Sequence, residues 1–292
     1  MSSSNLLTGF LVAASFIGLS GCTIHLGDRN NTGTFQAGPV QTLSVNIPKP
    51  TEGRSAYDVE LSPGIARVVV DHAGKGVLDG SIDYNVTNLK PIVTTSTNKV
   101  VVRTPDMRGT FPRNNISDWH ISLGKEVPMN LTINTGATEG TYDFGGLSLR
   151  TFTLRQGAAK ADVNFSESNP VDMTDFRFEI GAAQTTIKGL GNANIADGYG
   201  SIGAGELTLY FDGELSRSVD LKLEGGVSTI TIYSGDNPVQ VTVDGAMNST
   251  QNDGWTKDGK TFTSPEWGKR GDARINIRLT MGIGTIRLKS GK

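Results

Sequence analysis

The chain has 292 residues and a formal net charge of −2, with 37 glycines, 11 prolines and one cysteine. This near-neutral balance gives no electrostatic footprint for nucleic acid, and we expect no nucleic-acid partner. A single cysteine excludes an intrachain disulfide framework and any multi-cysteine metal site. The length allows two domains, but all-β chains of this size often fold as one unit.

The N-terminal residues predict a secretory signal peptide over residues 1–21. Residues 6–19 carry no charge, yet this stretch is shorter than the about 20 apolar residues that a transmembrane helix needs. Residues 19–22, Leu-Ser-Gly-Cys, resemble the lipobox of bacterial lipoproteins. The resemblance implies cleavage before Cys22, a diacylglycerol on its thiol and further acylation with palmitate-like chains. Such an anchor would hold the protein stably at a membrane.

A tether is predicted after the lipidated cysteine, over residues 22–50. These residues are rich in Gly, Asn and Thr and end in Pro-Lys-Pro. A flexible chain of this length has an r.m.s. reach of roughly 30 Å. We therefore expect the protein in the bacterial envelope, on the periplasmic or cell-surface side. Thr23 rather than Asp follows Cys22, which by the usual sorting pattern favours the outer membrane where two membranes exist.

Residues 129–235 contain an internal repeat. Residues 131–144, 152–165, 176–189, 198–211 and 219–232 each read as a strand, a small corner and a second strand, with predicted corners at Gly136, Gly157, Gly181, Gly203 and Glu224. Apolar residues recur at every second position, which is strand periodicity. A short third segment is expected at Leu149, Met173 and Ile195. Repeats of about 21–24 residues with Gly/Ala corners predict an all-β, stacked-strand β-solenoid that resembles a β-helix.

Two β sections are expected to flank the repeats. Residues 51–128 alternate in the same way and contain one long polar loop, residues 104–118. Residues 236–292 are predicted to form capping strands and a hairpin at Asp258-Gly259, a dipeptide that favours a tight turn. Residues 281–288 read as a shortened final repeat.

Several stretches together resemble the toast-rack domain of bacterial envelope proteins, which is related to the C-terminal domain of LiaF-like envelope-stress regulators. They include VELSPGIARVVV, WHISLGKEVPMNLTINTGATEGTYDFGGLSLR, FEIGAAQTTIKGLGNANI and INIRLTMGIGTIRL. The resemblance covers about residues 56–291. It implies a stacked-strand fold without known catalysis and, in some relatives, a role in envelope-stress signalling. It supplies no functional residues. Two predicted corners, Ser62-Pro63-Gly64 and Glu224, depart from the pattern of small residues at the other corners.

No catalytic motif is evident. The histidines His25, His72 and His120 are far apart and lack ligand spacing, so we expect no metal and no cofactor. The best catalytic alternative is acidic. Asp143 and Asp162 would face outward on adjacent coils about 8 Å apart, within the carboxylate separation of inverting glycosidases, with Glu139 nearby. The competing interpretation is that these acids are solvated side chains on a flat sheet.

These observations predict a non-enzymatic, lipid-anchored envelope protein that acts as a rigid β scaffold, in envelope-stress sensing or surface adhesion. An envelope protein is the expected partner, contacted through the outward strand faces or loop 104–118. The alternative is a lipoprotein that binds or cleaves cell-wall or surface polysaccharide through Glu139, Asp143 and Asp162. A stable protein partner would favour the first, and retention on a glycan matrix the second.

Overall fold

The computed structural model describes residues 33–50, 56–106, 109–245, 247–269, 271 and 273–291. In this part of the chain the regular structure is β-strand, apart from one 3-10 turn at Thr87–Leu89. The strands are β1 (Gly33–Thr34), β2 (Gln41–Ile47), β3 (Tyr57–Ser62), β4 (Ile65–Gly74), β5 (Leu78–Tyr84), β6 (Ile92–Ser96), β7 (Lys99–Arg103), β8 (Gly109–Thr110), β9 (Ser117–Gly124), β10 (Met129–Asp143), β11 (Leu149–Asn164), β12 (Asp175–Lys188), β13 (Asp197–Tyr210), β14 (Val219–Tyr233), β15 (Val239–Asp244), β16 (Met247–Asp253), β17 (Thr256–Asp258), β18 (Thr261–Thr263) and β19 (Ile275–Lys289).

The predicted all-β stack is confirmed. Strands β10 to β14 pair in parallel, each with the next along the chain. Buried and exposed positions alternate along each strand on both sides of its corner. One face of every strand therefore enters a shared apolar core, and no coil could bury that face without its neighbours.

Glycines stack at the corners, and their register corrects one predicted corner. Ser201 pairs with Glu224 and Ala204 with Val227, so Gly226 rather than Glu224 follows Gly203 in the column. The shift is two residues, which leaves the inward and outward faces of β14 as predicted. Gly64 also belongs to this column, because a Cβ on Gly136 would meet its carbonyl oxygen at 2.7 Å. The expected departure at residues 62–64 was therefore wrong.

The coils at both ends of the stack are out of chain order. Strand β7 pairs in parallel with β3, and β9 pairs in parallel with β4. Strands β7 and β9 therefore form one more coil outside the β3/β4 coil, and the loop between them, 104–116, is at its corner. At the other end, β19 lies between β14 and the β15/β16 coil. The prediction of a shortened final repeat at residues 281–288 was wrong, because β19 is 15 residues long and lies inside the stack.

The end coil β15/β16 caps the core. By register with β19, the inward positions of β16 hold polar residues, Asn248, Thr250 and Asn252, where the neighbouring coil has Ile286 and Leu288. Polar residues suit a terminal coil because its outer side meets water. The predicted hairpin is present, but its two-residue turn is Gly259-Lys260 rather than Asp258-Gly259, because Asp258 pairs with Thr261.

The predicted tether is shorter than expected. Strand β2 pairs antiparallel with β5 along its whole length. Its alternation of Leu43, Val45 and Ile47 with polar residues places one side against the core, with Val45 buried. Residues 41–47 therefore belong to the folded body.

Aromatic and asparagine side chains reinforce the interior. Rings of adjacent coils contact one another in a continuous cluster, Phe144, Phe152, Phe165, Phe176 and Phe178, with centroids 5.1–6.2 Å apart. The predicted third segment is confirmed in part, as a parallel bridge between Met173 and Ile195, whereas Leu149 is the first residue of β11. Asparagine side chains hold the neighbouring loops by hydrogen bonds. The side-chain amide of Asn169, for example, donates to the backbone carbonyls of Leu149 and Ala193.

Candidate functional site

Cys22, the predicted lipidation site, lies outside the described residues, as does His25. Within the described part of the chain no helix is long and apolar enough to cross a membrane. The described residues also contain no group of His, Cys, Asp or Glu that could hold a metal ion.

The three acids of the alternative glycan site do lie on adjacent strands. Asp143 pairs with Asn164 and Asp162 with Thr141, which gives the two-residue offset expected from the repeat. Glu139 stands between two basic residues, since it pairs with Arg67 on β4 and with Lys160 on β11. The carboxylate of Glu139 therefore has cations on both neighbouring strands.

Asp143 is engaged in holding a loop. Its Oδ1 accepts hydrogen bonds from the backbone N–H of Gly145 at 3.0 Å and from the hydroxyl of Ser166 at 2.7 Å. Its Oδ2 lies 3.7 Å from Nε2 of His72. A carboxylate used in this way fixes the turn after β10 to the turn after β11, a structural role that needs no substrate.

The stacked tyrosine pair on the outward sheet face is covered by lysine side chains. Tyr210 and Tyr233 stack on adjacent coils with centroids 4.3 Å apart and planes 5° from parallel. Lys188 covers the outer face of one ring at 5.9 Å, and Lys289 covers that of the other at 5.4 Å. Sugar rings bind aromatic side chains through their faces. In this ladder those faces are already occupied by side chains of the protein.

Two depressions near the surface do not include the predicted acids. One of about 10 Å³ lies beside Ile65, Tyr84 and Phe111. Another, of about 280 Å³, is lined by loop residues that include Leu215 and Pro238. Glu139, Asp143 and Asp162 line neither. The acids are thus brought to one face, but neither of these depressions places a substrate against them.

A surface that sequence reasoning missed runs beside the glycine column. The residue after each corner is apolar and exposed, and these residues align across eight coils. We call this set the corner column: Ile65, Ala137, Ala158, Ala182, Ala204, Val227, Ile283 and Met247. At a strand spacing of about 4.8 Å the column is about 34 Å long. Its bulkiest members are Val227, Ile283 and Met247, exposed by 63%, 48% and 65%. The Gly-Ala dipeptide repeated in the sequence was the signal for it.

The loop predicted at 104–118 ends at residue 116, where β9 follows, and it contacts the N-terminal segment of the body. Strand β1 pairs in parallel with β8, and the backbone N–H of Phe35 donates to the carbonyl of Thr110 at 3.1 Å. The rings of Phe35 and Phe111 stack with centroids 5.2 Å apart. The chain therefore enters the body at this loop, at the opposite end of the stack from β16.

No curated protein matches the chain. Solved structures to which the chain is similar include a candidate cell adhesion protein from Clostridium sporogenes (15% identity, TM-score 0.46, 86% of this chain and 99% of that one), a candidate adhesin from Bacteroides fragilis (12%, 0.39, 86% and 97%) and a candidate lipid-binding protein from Parabacteroides distasonis (11%, 0.43, 89% and 100%). At these identities and TM-scores they carry no functional assignment.

The family profile Toast_rack_N, the N-terminal domain of toast_rack (DUF2154), matches residues 36–188, which is more than half of the chain. The match covers the first coils of the stack and four of its corner glycines, from Gly64 to Gly181. The chain therefore belongs to the toast-rack family.

Proposed function

We propose that this protein is a non-enzymatic, lipid-anchored scaffold of the bacterial envelope, held by an acylated Cys22 and bound to an envelope protein through its stacked-sheet body. The corner column is the observation that favours a protein partner. It combines bulky apolar side chains with a backbone fixed by parallel pairing, on both sides of Val227 and Ile283 and on one side of Met247. Exposed apolar residues that share one continuous surface are typical of protein contact sites.

The position of the bulky residues supports contact away from the anchor. Between β2 and β16 the sheet has ten strand spacings, which is about 48 Å at 4.8 Å each. Val227, Ile283 and Met247 lie on the coils at the β16 end of the stack. The chain enters the body at the opposite end, beside β2. A body fastened at one end would present this patch to a partner that lies farther from the membrane.

Proximity crosslinking in living cells tests the proposal. A photoreactive residue replaces Ile283, and wild type is compared with Cys22→Ala, with captured proteins identified by mass spectrometry. We expect one dominant membrane or envelope protein, lost with Cys22→Ala and weakened by Val227→Lys. The matched control is a photoreactive residue at Thr153, on the opposite half of the coil. Equal capture from both positions would contradict the proposal.

Polysaccharide binding or cleavage is the competing proposal, and the register of Asp143 with Asp162 is its support. It predicts that the body is retained on cell-wall or surface polysaccharide and that Asp143→Asn abolishes any turnover. Ser166→Ala is the matched control, because it removes the same loop contact without touching a carboxylate. A wild-type protein inert on envelope glycans would end this alternative.

A further inference from the structure

The end of the body at which the chain enters carries a basic and partly apolar surface. We propose that this surface, the entry rim formed by the described residues of 33–40, 85–92 and 103–116 (107–108 are not among them), docks on anionic phospholipid headgroups of the membrane that holds the anchor. The proposal rests on the lipid anchor at Cys22 proposed above. It adds an orientation, with the rim toward the bilayer and β16 away from it.

The three segments of the rim are joined by hydrogen bonds. The backbone N–H of Gly38 donates to the carbonyl of Asn85 at 2.6 Å. The side-chain amide of Asn85 donates to the carbonyl of Asn114 at 2.7 Å, and its Oδ1 accepts from the N–H of Ile116 at 2.8 Å. With the Phe35–Phe111 stack, these bonds place the entering chain and the loop in one surface.

Chain length brings the rim close to the anchor. Gly33 is paired to the loop, and it follows Cys22 by eleven residues. Even a fully extended chain of eleven residues spans at most about 40 Å. The rim is therefore the part of the body that an anchor at Cys22 would hold nearest to the lipid.

The rim has the charge that an anionic leaflet attracts. Its described residues hold three basic side chains, Lys90, Arg103 and Arg113, against one acid, Asp106, a net charge of +2 in a chain whose total is −2. Lys90, Arg103 and Arg113 form no ion pair with any described residue. Near an anionic surface each such residue strengthens binding about fivefold.

Apolar side chains accompany the charges. Val40 is 55% exposed and Ile92 is 37% exposed, and Ile92 pairs with Arg103 across β6 and β7. Basic residues interleaved with exposed apolar ones suit the boundary between headgroups and acyl chains. Chain continuity with the anchor favours a lipid surface over a soluble polyanion.

The test uses the full chain with Cys22→Ala, which prevents acylation and removes the only cysteine. A reporter cysteine then replaces Asn114 on the rim or Gln251 on β16 and carries a fluorophore. Vesicles of phosphatidylcholine, alone or mixed with phosphatidylglycerol, carry a quencher on their headgroups. We expect quenching at position 114 that requires phosphatidylglycerol and weakens with salt, and none at position 251.

Charge reversal identifies the surface. Lys90→Glu, Arg103→Glu and Arg113→Glu together are expected to weaken binding to the anionic vesicles more than about tenfold. The matched control reverses Lys160, Lys188 and Lys257, which gives the same net charge elsewhere. Equal binding by the two triple variants would overturn the proposal, as would retention of the rim on an anionic glycan but not on vesicles. Since no step requires acylation, failure here is distinct from failure of the anchor at Cys22.

Discussion

A Cβ atom on Gly157 would lie 2.8 Å from the carbonyl oxygen of Gly136 on the preceding coil. The same relationship repeats along the corner, with Gly181 against Gly157 at 2.8 Å and Gly203 against Gly181 at 2.9 Å. Real Cβ atoms do not approach a backbone oxygen so closely. The corners of the stack therefore require glycine for steric reasons, because the coils are held at strand spacing on both sides of the turn.

Gly157→Ala is expected to lower the free energy of unfolding by about 1–3 kcal/mol, since the added methyl group must displace backbone that is paired on both sides. Denaturant unfolding followed by fluorescence measures the loss. The matched control is Ala158→Ser at the adjacent exposed position, which should change stability by less than about 0.5 kcal/mol. Equal stability of wild type and Gly157→Ala would show that the corner can relax.

Phe176→Ala is expected to cost about 3–5 kcal/mol of unfolding free energy, because the ring is fully buried against three other phenylalanine rings. Its centroid lies 5.8 Å from that of Phe152 and 6.2 Å from that of Phe165. Phe35→Ala serves as the comparison, since Phe35 is only half-buried and contacts one ring. Losses of the same size at both positions would contradict the central role of the aromatic cluster.

A chain that ends at Arg274 is expected to lose cooperative unfolding, because β19 joins β14 to the β15/β16 coil. Without it, both of those elements lose their parallel partner and the core between them opens. Urea unfolding should show a smaller slope and an earlier midpoint. A chain that ends at Lys289 retains β19 and is the control. If the longer deletion unfolds like the full chain, β19 is dispensable and the capping order described above is wrong.

Glu224→Gln tests an ion-pair cluster on the outer face. Hydrogen bonds from Lys222 at 2.6 Å and from the Tyr199 hydroxyl at 2.9 Å lower the pKa of Glu224 below its ordinary value of 4.5. This stabilisation is fully present above pH 4.5 and is lost as the pH falls through the lowered pKa. The side chain is 42% exposed, so we expect a loss of less than about 1 kcal/mol.

The measurement compares the unfolding free energies of wild type and Glu224→Gln at pH 7 and at pH 3. The difference should be present at neutral pH and should shrink at the acid end. Glu214→Gln is the control, because Glu214 forms no ion pair with a described residue. A difference that grows on acidification would have the wrong sign for a carboxylate with a lowered pKa.

The repeats allowed the strands and their inward faces to be predicted, because alternation of apolar residues is a local signal. The register of β14 could not be predicted as easily. Gly198 and Gly200 stand where other coils have apolar residues, and the rings of Phe176 and Phe178 occupy the space that they leave. With no side chain to align, the repeat was matched to Val219 instead of Leu221, an error of two residues.

The order of the end coils and the corner column were not predicted, for different reasons. The position of β19 between β14 and the β15/β16 coil depends on pairing between segments that are distant in the sequence. The local residue pattern of a strand does not indicate which distant strand it pairs with. The corner column was present in the repeated Gly-Ala pattern, but alanine was attributed to the turn rather than to an exposed surface. The strand at 41–47 was obscured by the polar residues that precede it.

The most direct measurement is the intact mass of the protein purified from the membranes of cells that produce it, with the N-terminal peptide analysed by fragmentation. We predict a chain that begins at Cys22 and carries a diacylglyceryl group on its thiol. The Cys22→Ala variant should instead remain uncleaved or appear in the soluble fraction. An unmodified Cys22, in a protein that fractionates like the Cys22→Ala variant, would contradict the proposed lipid anchor.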